Sequence, residues 1–403
     1  MKSMNILIFH WRFKGDPDAG GAENLLYSIV EEMAARGNKI MWCSPKSNNI
    51  LSSGPEMSED IQCVRVGGMI SSRFLLPFFL VTKGRNFKPD ILIDSITGFP
   101  WFIPIISRRR SMAIIYHLGR RDTIFTELRS MLGSIGYFPA AFVSLGERLI
   151  PKIYRRSRVL TFSEDTKRDL VRSGIQSTNV SVAQEGIFVS RYSKAEVRFS
   201  SPTVVYIGRL VANKGLTSLL FAMRSVIGVI PNVRLNLIGR GYLRPELERL
   251  AKELGIEANI SFLGFVPESE KIKLLGKSHL LVLPSIREGW GTPIIEANAC
   301  GVVAIGTDTE GIRSTILDGR TGFLFCYGDT KRMAELMLLL LQDEVLRQKL
   351  ERQAIEWASN FDIKNTINVS CDVITRSCSS GRNYGEHLTR LVNSKNRVQN
   401  MIT

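Results

Sequence analysis

Residues 5–44 read NILIFHWRFKGDPDAGGAENLLYSIVEEMAARGNKIMWCS, and their pattern indicates the fold class. The run NILIF has the length and composition of a buried strand, and the apolar residues after the glycine pair recur at helical spacing. Gly37 ends that helix, and KIMWCS is the next strand. A strand, a Gly-rich loop, a helix and a second strand open a βαβ unit, so the sequence predicts a parallel α/β sheet.

The same alternation continues along the chain. DILIDS, MAIIYH and RVLTF are further strand candidates, and Ser163 is the predicted N-cap of the helix that follows, with Glu164 and Asp165 in its first turn. Near Ser200 the pattern starts again with TVVYIGRL, and it ends in the long helical stretch KRMAELMLLLLQDEVLRQKLERQAIEWASN. The prediction is an N-terminal domain over 1–197 and a C-terminal domain over 198–360. Residues 361–403 are expected to form a helix that returns to the first domain, followed by a loose tail.

Length and composition limit the class of protein. A chain of 403 residues with 44% hydrophobic residues is expected to fold as two globular domains. The apolar runs are shorter than the roughly 18 residues of a membrane span, and the apolar start is too short for a signal peptide. The six cysteines show neither zinc-site nor disulfide spacing, which favours a reducing cytosol.

The stretch PSIREGWGTPIIE follows a predicted strand and opens a predicted helix. Thr292 is the expected N-cap, so Glu296 lies at the end of the first turn and Glu288 in the loop before it. Gly289 and Gly291 let the backbone approach a ligand, and free N–H groups at the helix start suit phosphate oxygens. The two carboxylates suit the hydroxyls of a sugar or a ribose. An acidic first turn is common without any ligand, so the prediction depends on the whole constellation.

Two cations frame the start of the second half, in YIGRLVANKG. Gly208 and Arg209 directly follow a strand, and Lys214 lies just before the next helix. Two cations at one strand end suit a diphosphate, although a solvated basic loop would look the same in isolation.

Two weaker signals lie in the first half. Gly20 and Gly21 begin the first helix without the GxGxxG pattern of a dinucleotide site, so a single phosphate or a sugar leaving group is the expected ligand there. His117 follows an apolar strand and is expected at the cleft, although a lone histidine is as often structural.

Taken together, these residues resemble the retaining glycosyltransferases of family 4, which transfer sugars from nucleotide-sugar donors. The resemblance spans residues 4–360 and rests on GGAE after the first strand, a histidine after a mid-domain strand, GRL…KG, and E-x7-E as EGWGTPIIE. It implies the α/β GT-B fold, in which two Rossmann-like, doubly wound parallel-sheet domains face an interdomain cleft. The C-terminal domain would bind the nucleotide sugar and the N-terminal domain the acceptor.

The resemblance also implies a role for each position. Arg209 and Lys214 would bind the donor diphosphate and stabilise the departing nucleotide, while Glu288 would lie near the transferred sugar. Glu296 would bind the ribose hydroxyls, and His117 would lie close to the reacting sugar. The expected catalytic set is His117, Arg209, Lys214 and Glu288. The expected donor-binding set is Gly20, Gly21, Gly208, Phe265, Val266, Gly289, Trp290, Gly291, Thr292 and Glu296.

The resemblance implies metal-independent transfer with retention at the anomeric carbon, with a UDP- or GDP-sugar as co-substrate and no cofactor. Arg and Lys would supply the charge that a metal supplies elsewhere. The chain departs from the family pattern at Trp290, where Phe is commoner, and at Val303, where Pro is usual. TEGIRSTILDG also lacks a Glu before its apolar position, although Gly311 remains. No charged catalytic position is lost.

The net charge of +15 predicts an anionic partner. Between Trp101 and Leu160 the sequence contains eleven Arg or Lys residues and three acidic residues. Apolar runs such as FPWFIPII and, earlier in the chain, ISSRFLLPFFLV lie among or near these charges. This composition is typical of a membrane-surface face, and it also fits an ordinary core with solvated arginines. A nucleic-acid partner is not expected, because no recognised binding module is present.

The leading interpretation is a hexosyltransferase of surface-polysaccharide or glycolipid assembly that acts on a glycan or lipid-linked acceptor. It is expected in the cytoplasm, with peripheral association at the inner face of the cell membrane. A sugar-nucleotide epimerase with the same fold is a rival, which the E-x7-E loop with GRL…KG disfavours. A non-catalytic sugar-nucleotide-binding scaffold is the other rival, which the intact charged positions disfavour.

Overall fold

A computed structural model describes residues 3–14, 16, 20–46, 58–68, 71–97, 100–116 and 149–379. Within these residues the first sheet consists of β1 Asn5–Phe9, β2 Lys39–Ser44, β3 Ile61–Arg65, β4 Ile91–Ile96, β5 Ser111–Ile115, β6 Arg158–Thr161 and β7 Val180–Val182. Its strand order is β3-β2-β1-β4-β5-β6-β7, and every neighbouring pair is parallel. The chain order reverses between β1 and β4, which is the arrangement of a doubly wound sheet.

The second sheet is built from β8 Thr203–Ile207, β9 Arg234–Ile238, β10 Ile260–Gly264, β11 Leu280–Leu283, β12 Val303–Thr307 and β13 Gly322–Phe325. Its strand order is β10-β9-β8-β11-β12-β13, again with parallel pairs. The prediction of two parallel α/β halves is therefore confirmed. We call the two sheets with their covering helices the first and second domains.

Helices cover both sheets. The first domain has α1 Gly21–Ala35, α2 Ser71–Val81, α3 Lys83–Asn86, α4 Ile103–Ile106 and α5 Glu164–Arg172. The second domain has α6 Leu216–Val229, α7 Arg244–Glu253, α8 Glu268–Lys277, α9 Thr292–Ala299, α10 Thr330–Gln342 and α11 Glu344–Ala358, and α12 Ile363–Ser379 follows. Short 3-10 turns occupy Ser177–Asn179, Val189–Arg191, Ala212–Lys214 and Glu257–Asn259.

The apolar run of β1 shows why the first sheet is buried on both faces. Ile6 and Ile8 belong to the core beneath α1, while Leu7 and Phe9 belong to a separate core on the opposite face. Successive side chains of a strand point to opposite faces, so a continuous apolar run fits a sheet that helices cover on both sides. Each such buried side chain stabilises the fold by about 1.5–3 kcal/mol.

The predicted long helical stretch after β13 consists of two helices, α10 and α11. Asp343 separates α10 from α11, and its carboxylate accepts the backbone N–H of Leu346 at 2.8 Å. An aspartate that caps a helix start satisfies one of the free N–H groups there. The chain therefore turns at a residue whose side chain starts a new helix.

Helix α12 crosses back to the first domain. The N–H of Ile187 donates to the carbonyl of Phe361 at 2.9 Å, and the N–H of Ile363 donates to the carbonyl of Ile187 at 2.8 Å. Beyond this crossing, Cys371 and Ile374 are buried in the same core as α1. Within the described residues, no helix combines the length and the apolar character that crossing a membrane requires.

Candidate functional site

The loop after β8 brings a cation to the end of a neighbouring strand. Gly208 follows β8 with φ +157°, and Arg209 beside it is exposed. Lys214 ends a 3-10 turn, and the next residue, Gly215, has φ +65° and packs so closely that an added Cβ would lie 2.1 Å from the carbonyl oxygen of Pro284. Only glycine fits there, so the loop is pressed against the end of β11.

Lys214 and Glu288 meet at that strand end. The Lys214 Nζ lies 2.6 Å from Glu288 Oε1, and the Ser285 hydroxyl donates to the same oxygen at 2.6 Å. The two charged side chains are 14% and 15% exposed, so the pair is partly shielded from water. Lys214 and Glu288, two predicted catalytic residues that lie 74 positions apart in the sequence, therefore contact each other. Arg209 precedes Lys214 on the same loop.

The start of α9 differs from the prediction. Gly291, with φ +77°, is the N-cap and supplies no side-chain cap, while Thr292 is the first helical residue. The Thr292 hydroxyl instead donates to Glu185 Oε1 at 2.9 Å. The assignment of Thr292 as N-cap was therefore wrong, because a carboxylate distant in sequence competes for its hydroxyl. The first N–H groups of α9 receive no bond from a capping side chain.

Glu296 lies in a cluster of two carboxylates, a lysine and a tyrosine. Its Oε1 accepts bonds from Lys271 Nζ at 2.8 Å and from the Tyr192 hydroxyl at 2.9 Å. Both partners also contact Glu268, at 2.9 Å and 3.0 Å. Burial raises the pKa of Glu296, with Lys271 opposing it. Burial alone would lower the pKa of Lys271, but Glu296 and Glu268 outweigh it and raise that pKa.

The residues after β10 form an exposed edge. Gly264 ends the strand with φ +69°, and Phe265 is 70% exposed although it is a large apolar side chain. The guanidinium carbon of Arg240, which follows β9, lies 5.5 Å from the centroid of the Phe265 ring. Val266 packs against the core of the second domain. A flat apolar ring beside a cation is a surface on which a planar group can stack.

Trp290, in the EGWGTP loop, packs its side chain into a small core. Its side chain is 2% exposed and packs edge-on against Phe361, with ring centroids 5.2 Å apart. Together with Ile187 and Trp357 it forms a small core beside the chain crossing. Any contact of Trp290 with a ligand is therefore made by its backbone. Gly289 lies beside it, and the Gly289 carbonyl faces the Ser163 hydroxyl of the first domain at 3.5 Å.

In the first domain, the glycine pair begins α1. The N–H of Gly20 donates to Glu23 Oε2 at 2.8 Å, and an added Cβ at Gly21 would meet no atom within 4 Å. Glu23 also contacts His10 Nε2 at 3.3 Å. Burial would raise the pKa of Glu23, but His10 and the Gly20 N–H outweigh it and lower that pKa to about 2. A fixed carboxylate thus holds the glycine turn, and Gly21 faces open space.

His117 and the basic stretch 117–148 lie outside the described residues. The residue before it, Tyr116, is buried and receives a hydrogen bond from Ser95. Within the described residues, no group of three or more His, Cys, Asp or Glu side chains could hold a metal ion.

Sequence reasoning missed Glu185, Lys271 and Tyr192. Glu185 follows β7, and its side chain is partly buried. Burial, together with the charges of Glu296 and Glu288, raises the pKa of its carboxyl group to about 7. Its only local signal is a Glu-Gly pair after a strand. Lys271 and Tyr192 carry no local signal, since a lysine on an amphipathic helix and a tyrosine in a loop are ordinary. All three acquire a role only when distant segments meet.

Several known glycosyltransferases are similar to this chain. Residues 192–357 match the family model described as "Glycosyl transferases group 1". The chain is 29% identical to the phosphatidyl-myo-inositol mannosyltransferase of Mycobacterium leprae, over 85% of this chain and 89% of that protein. It is 25% identical to the lipopolysaccharide core biosynthesis glycosyltransferase LpsE of Rhizobium meliloti, over 87% of this chain and 93% of that protein. A D-inositol 3-phosphate glycosyltransferase of Corynebacterium urealyticum is 28% identical over only 42% of each chain.

Solved structures agree in fold. Sucrose-phosphate synthase from Thermosynechococcus elongatus superposes with a TM-score of 0.75 at 18% identity, over 93% of this chain and 98% of that chain. HepE from Anabaena, in complex with UDP and glucose, superposes with a TM-score of 0.71 at 17% identity, over 93% of this chain and 100% of that chain. At these identities the likeness shows the fold alone, and the predicted GT-B fold is confirmed.

Proposed function

We propose that this chain, which has the GT-B fold and matches the group 1 glycosyltransferase family over residues 192–357, transfers a hexose from a UDP- or GDP-sugar to a glycan or lipid-linked acceptor. We assign it to the retaining family 4 enzymes, with a reaction that needs no metal. The product would enter a surface polysaccharide or a glycolipid. Two relatives act, by their names, on phosphatidyl-myo-inositol and in lipopolysaccharide core biosynthesis, which supports this class of acceptor.

The contact between Lys214 and Glu288 carries this proposal. It joins a cation suited to a diphosphate with a carboxylate suited to a sugar hydroxyl at one strand end, 2.6 Å apart. The exposed Arg209 lies on the same loop as Lys214, five positions before it in the sequence. The start of α9 has no side-chain cap and begins four residues after Glu288. This combination suits a nucleoside diphosphate sugar better than a nucleotide or a sugar alone.

In the proposed reaction, the bond between the anomeric carbon and the diphosphate oxygen breaks, and the acceptor oxygen bonds to the same face of that carbon. The proton of the acceptor hydroxyl passes to the departing diphosphate oxygen, so atoms and charge balance without a separate base. Arg209 and Lys214 would stabilise the negative charge that develops on the diphosphate. Glu288, paired with Lys214, would orient the sugar through its hydroxyls. His117 would lie near the reacting sugar.

The nucleotide would extend towards α8 and the exposed edge after β10. Glu296 would accept hydrogen bonds from the ribose hydroxyls, which requires Lys271 or Tyr192 to share or release the carboxylate. The base would lie against the backbone at Phe265 and Val266. The exposed Phe265 ring beside Arg240 supports this, because a base stacks on an aromatic or guanidinium plane. HepE in complex with UDP and glucose offers a precedent for UDP among proteins of this fold.

The acceptor side would face an anionic membrane. Helix α2 exposes Phe74, Phe78 and Val81, which are 80%, 68% and 65% exposed and follow one another at helical spacing. Lys83, Arg85 and Lys88 come directly after this helix. Apolar side chains for the acyl boundary and cations for the headgroups are the two components of interfacial binding. This surface supports peripheral association on the cytoplasmic face.

The proposed donor is tested by binding in EDTA. UDP, GDP and ADP, each alone and as its glucose conjugate, together with GDP-mannose, are screened by thermal unfolding. A ligand at 100 times its Kd adds about 2.7 kcal/mol to the unfolding free energy, a shift of several degrees. One nucleotide series should stabilise the protein, and Glu296→Ala should abolish the effect. No shift with any nucleotide in EDTA would contradict metal-independent donor binding. A product assay with the stabilising sugar conjugate separates the two rival functions. Release of a free sugar epimer would favour an epimerase, and binding of the conjugate without any turnover would favour a non-catalytic scaffold.

The proposed membrane surface is tested with vesicles. Co-sedimentation with phosphatidylglycerol vesicles should exceed that with phosphatidylcholine vesicles, and it should fall with salt. The double variant F74S/F78S should bind at least tenfold more weakly at unchanged thermal stability, since both side chains are exposed. A matched control replaces Val345, which is 82% exposed on α11 of the other domain, by Ser. Equal vesicle binding by F74S/F78S and the wild type would exclude this surface.

A further inference from the structure

Two aspartates of α5 contact the second domain. Asp165 Oδ2 accepts the backbone N–H of Gly311 at 3.0 Å, and Asp169 Oδ2 lies 2.5 Å from Arg287 Nη2. The sequence alone explains Asp165 by the helix dipole, yet this residue is 7% exposed, whereas Glu164 beside it is exposed. The dipole favours both residues equally, so it does not explain why only one of them is buried against the other domain.

Each of the two contacts involves a residue that adjoins Glu288: Arg287 precedes it in the sequence, and Gly311 packs against its backbone. Arg287 is held between Asp169 of the first domain and Glu310 of the second, whose Oε2 lies 3.1 Å from Arg287 Nη2. Gly311 has φ +84°, and an added Cβ would lie 2.4 Å from the carbonyl oxygen of Glu288. A movement of α5 would therefore reach the backbone of Glu288 through Arg287 on one side and Gly311 on the other.

We propose that Asp165 and Asp169 are positioning residues, which fix the backbone of Glu288 while the two domains are in contact. We call the contacts Asp165–Gly311 and Asp169–Arg287 the α5 latch. The latch deepens the proposed function and rests on it, because it ties the closure of the cleft to the residue that would orient the transferred sugar. The nucleotide half of the site, around Glu296, lies further along the chain and is held instead by Lys271 and Tyr192.

The charges explain how the latch can open without unfolding either domain. When Asp169 withdraws, Arg287 keeps Glu310 as its partner, so no cation is left alone. Asp165 likewise keeps its ion pair with Arg168 on its own helix. Arg287 and Asp165 therefore keep a charged partner in the open state, and Asp169 exchanges Arg287 for water.

Hydrogen exchange measured by mass spectrometry on the full chain tests the latch without any substrate. In D165A and D169N, the amides of 286–291 and 309–313 should exchange at least tenfold faster than in the wild type, while the β8 and β11 amides stay protected. The triple variant D169R/R287D/E310Q exchanges the two charges between α5 and the loop and removes the charge of Glu310, which would otherwise repel the exchanged carboxylate. The attraction across the domain boundary is kept, so most of the protection should return. Glu164→Gln, an exposed acid in the same helical turn, is the matched control. Unchanged exchange in both latch variants, or an equal change in E164Q, would overturn the proposal.

A second measurement separates positioning from packing. Titration calorimetry compares each nucleotide with its sugar conjugate: UDP with UDP-glucose, GDP with GDP-mannose, and ADP with ADP-glucose. In D169N the conjugate should lose at least fivefold in affinity relative to its nucleotide, because Glu288 acts on the sugar. Equal losses for the nucleotide and its conjugate would indicate a merely structural contact. If the wild type binds none of these ligands, the proposed function fails, whereas the exchange result still decides whether the latch holds Glu288.

Discussion

The hydroxyl of Thr292 donates a hydrogen bond across the domain boundary to Glu185 Oε1, at 2.9 Å. Glu185 is well fixed, because its N–H donates to the carbonyl of Phe162 at 2.9 Å and Gly186 beside it leaves no room for a Cβ against Phe361. The bond brings a third carboxylate to the EGWGTP loop, next to Glu288 and Glu296. Three carboxylates around one turn repel one another, and this repulsion has a measurable consequence.

Replacing Glu185 by Gln should remove a pH dependence of stability. The pKa of Glu185 rises from 4.5 to about 7 in the folded protein, through burial and then through Glu296 and Glu288. Its contribution to the unfolding free energy is therefore fully present below about pH 4.5 and is lost as the pH rises through 7. The unfolding free energy of E185Q minus that of the wild type should grow by about 2 kcal/mol between pH 5 and 8.

Chemical denaturation at half-unit pH steps measures this difference. The amide oxygen that E185Q introduces can still accept from Thr292, so the hydrogen bond is retained and only the charge is lost. Asp94, whose pKa is also raised to about 7 by burial, is present in both proteins and cancels. Glu196→Gln, at an exposed position, is the control and should show no trend. A flat difference for E185Q would mean that the pKa of Glu185 is the same in the folded and the unfolded protein, so that its carboxylate is ionised throughout this pH range.

Replacing Lys214 by Ala should weaken binding of the diphosphate and spare the nucleoside. A hydrogen bond to a charged group contributes about 1.5–3 kcal/mol, so the affinity for UDP or GDP should fall by roughly 10- to 150-fold. The affinity for uridine or guanosine should not change. Calorimetry with UDP and uridine, or with GDP and guanosine, gives the ratio of the two affinities directly. The control is Lys252→Ala, which replaces an exposed lysine on α7. An equal loss for nucleoside and diphosphate would exclude a phosphate role for Lys214.

Local patterns are enough to predict the fold. Ser163 is predicted as an N-cap from its position before two acids, and its hydroxyl indeed accepts the N–H of Thr166 at 3.2 Å. The alternation of apolar runs with helical spacing predicts both sheets, because burial on two faces leaves a strong compositional mark. Asp343 is missed because a single aspartate within an otherwise helical pattern is a weak signal in sequence, although it decides where one helix ends and another begins.

The site is less readable, because tertiary partners decide its details. Thr292 has every local property of an N-cap, and only Glu185, 107 positions earlier, redirects its hydroxyl. Trp290 lies within a glycine loop typical of ligand contact, yet its ring packs on Phe361 of the chain crossing. Asp165 follows the rule for acids in a first turn and also makes a contact with Gly311. None of these partners is marked by spacing.

Replacing Glu296 by Gln should affect nucleotides only through their ribose hydroxyls. If this carboxylate binds the ribose, the variant should lose about tenfold in affinity for UDP, since hydrogen bonds to a charged acceptor exceed those to a neutral one. E296Q should lose little affinity for the 2′,3′-dideoxy analogue of UDP. The two ligands, measured with E296Q and with the wild type, therefore form a thermodynamic cycle. The same cycle is run with the GDP pair if that nucleotide is preferred.

The cycle has a direct control within the cluster. Tyr192→Phe removes the hydroxyl that contacts Glu296 and Glu268 but keeps the ring and the carboxylate. Tyr192→Phe should preserve the difference in affinity between the nucleotide and its dideoxy analogue. If E296Q weakens the dideoxy analogue as much as the nucleotide, then Glu296 acts through the arrangement of Lys271 and not through the ribose.

The last prediction concerns α12, which follows the second domain in the chain but completes the core of the first. Ile374 is 1% exposed in the core that also contains Ile29 of α1, whereas Val369 on the same helix is 41% exposed. Ile374→Ala should lower the unfolding free energy by about 2–5 kcal/mol, through lost burial and the cavity left behind. Val369→Ala should change it by less than about 0.5 kcal/mol. Calorimetry should place the loss in the transition of the first domain, because the side chain packs there. A loss confined to the second domain, or one of equal size for Val369→Ala, would contradict the role assigned to this returning helix.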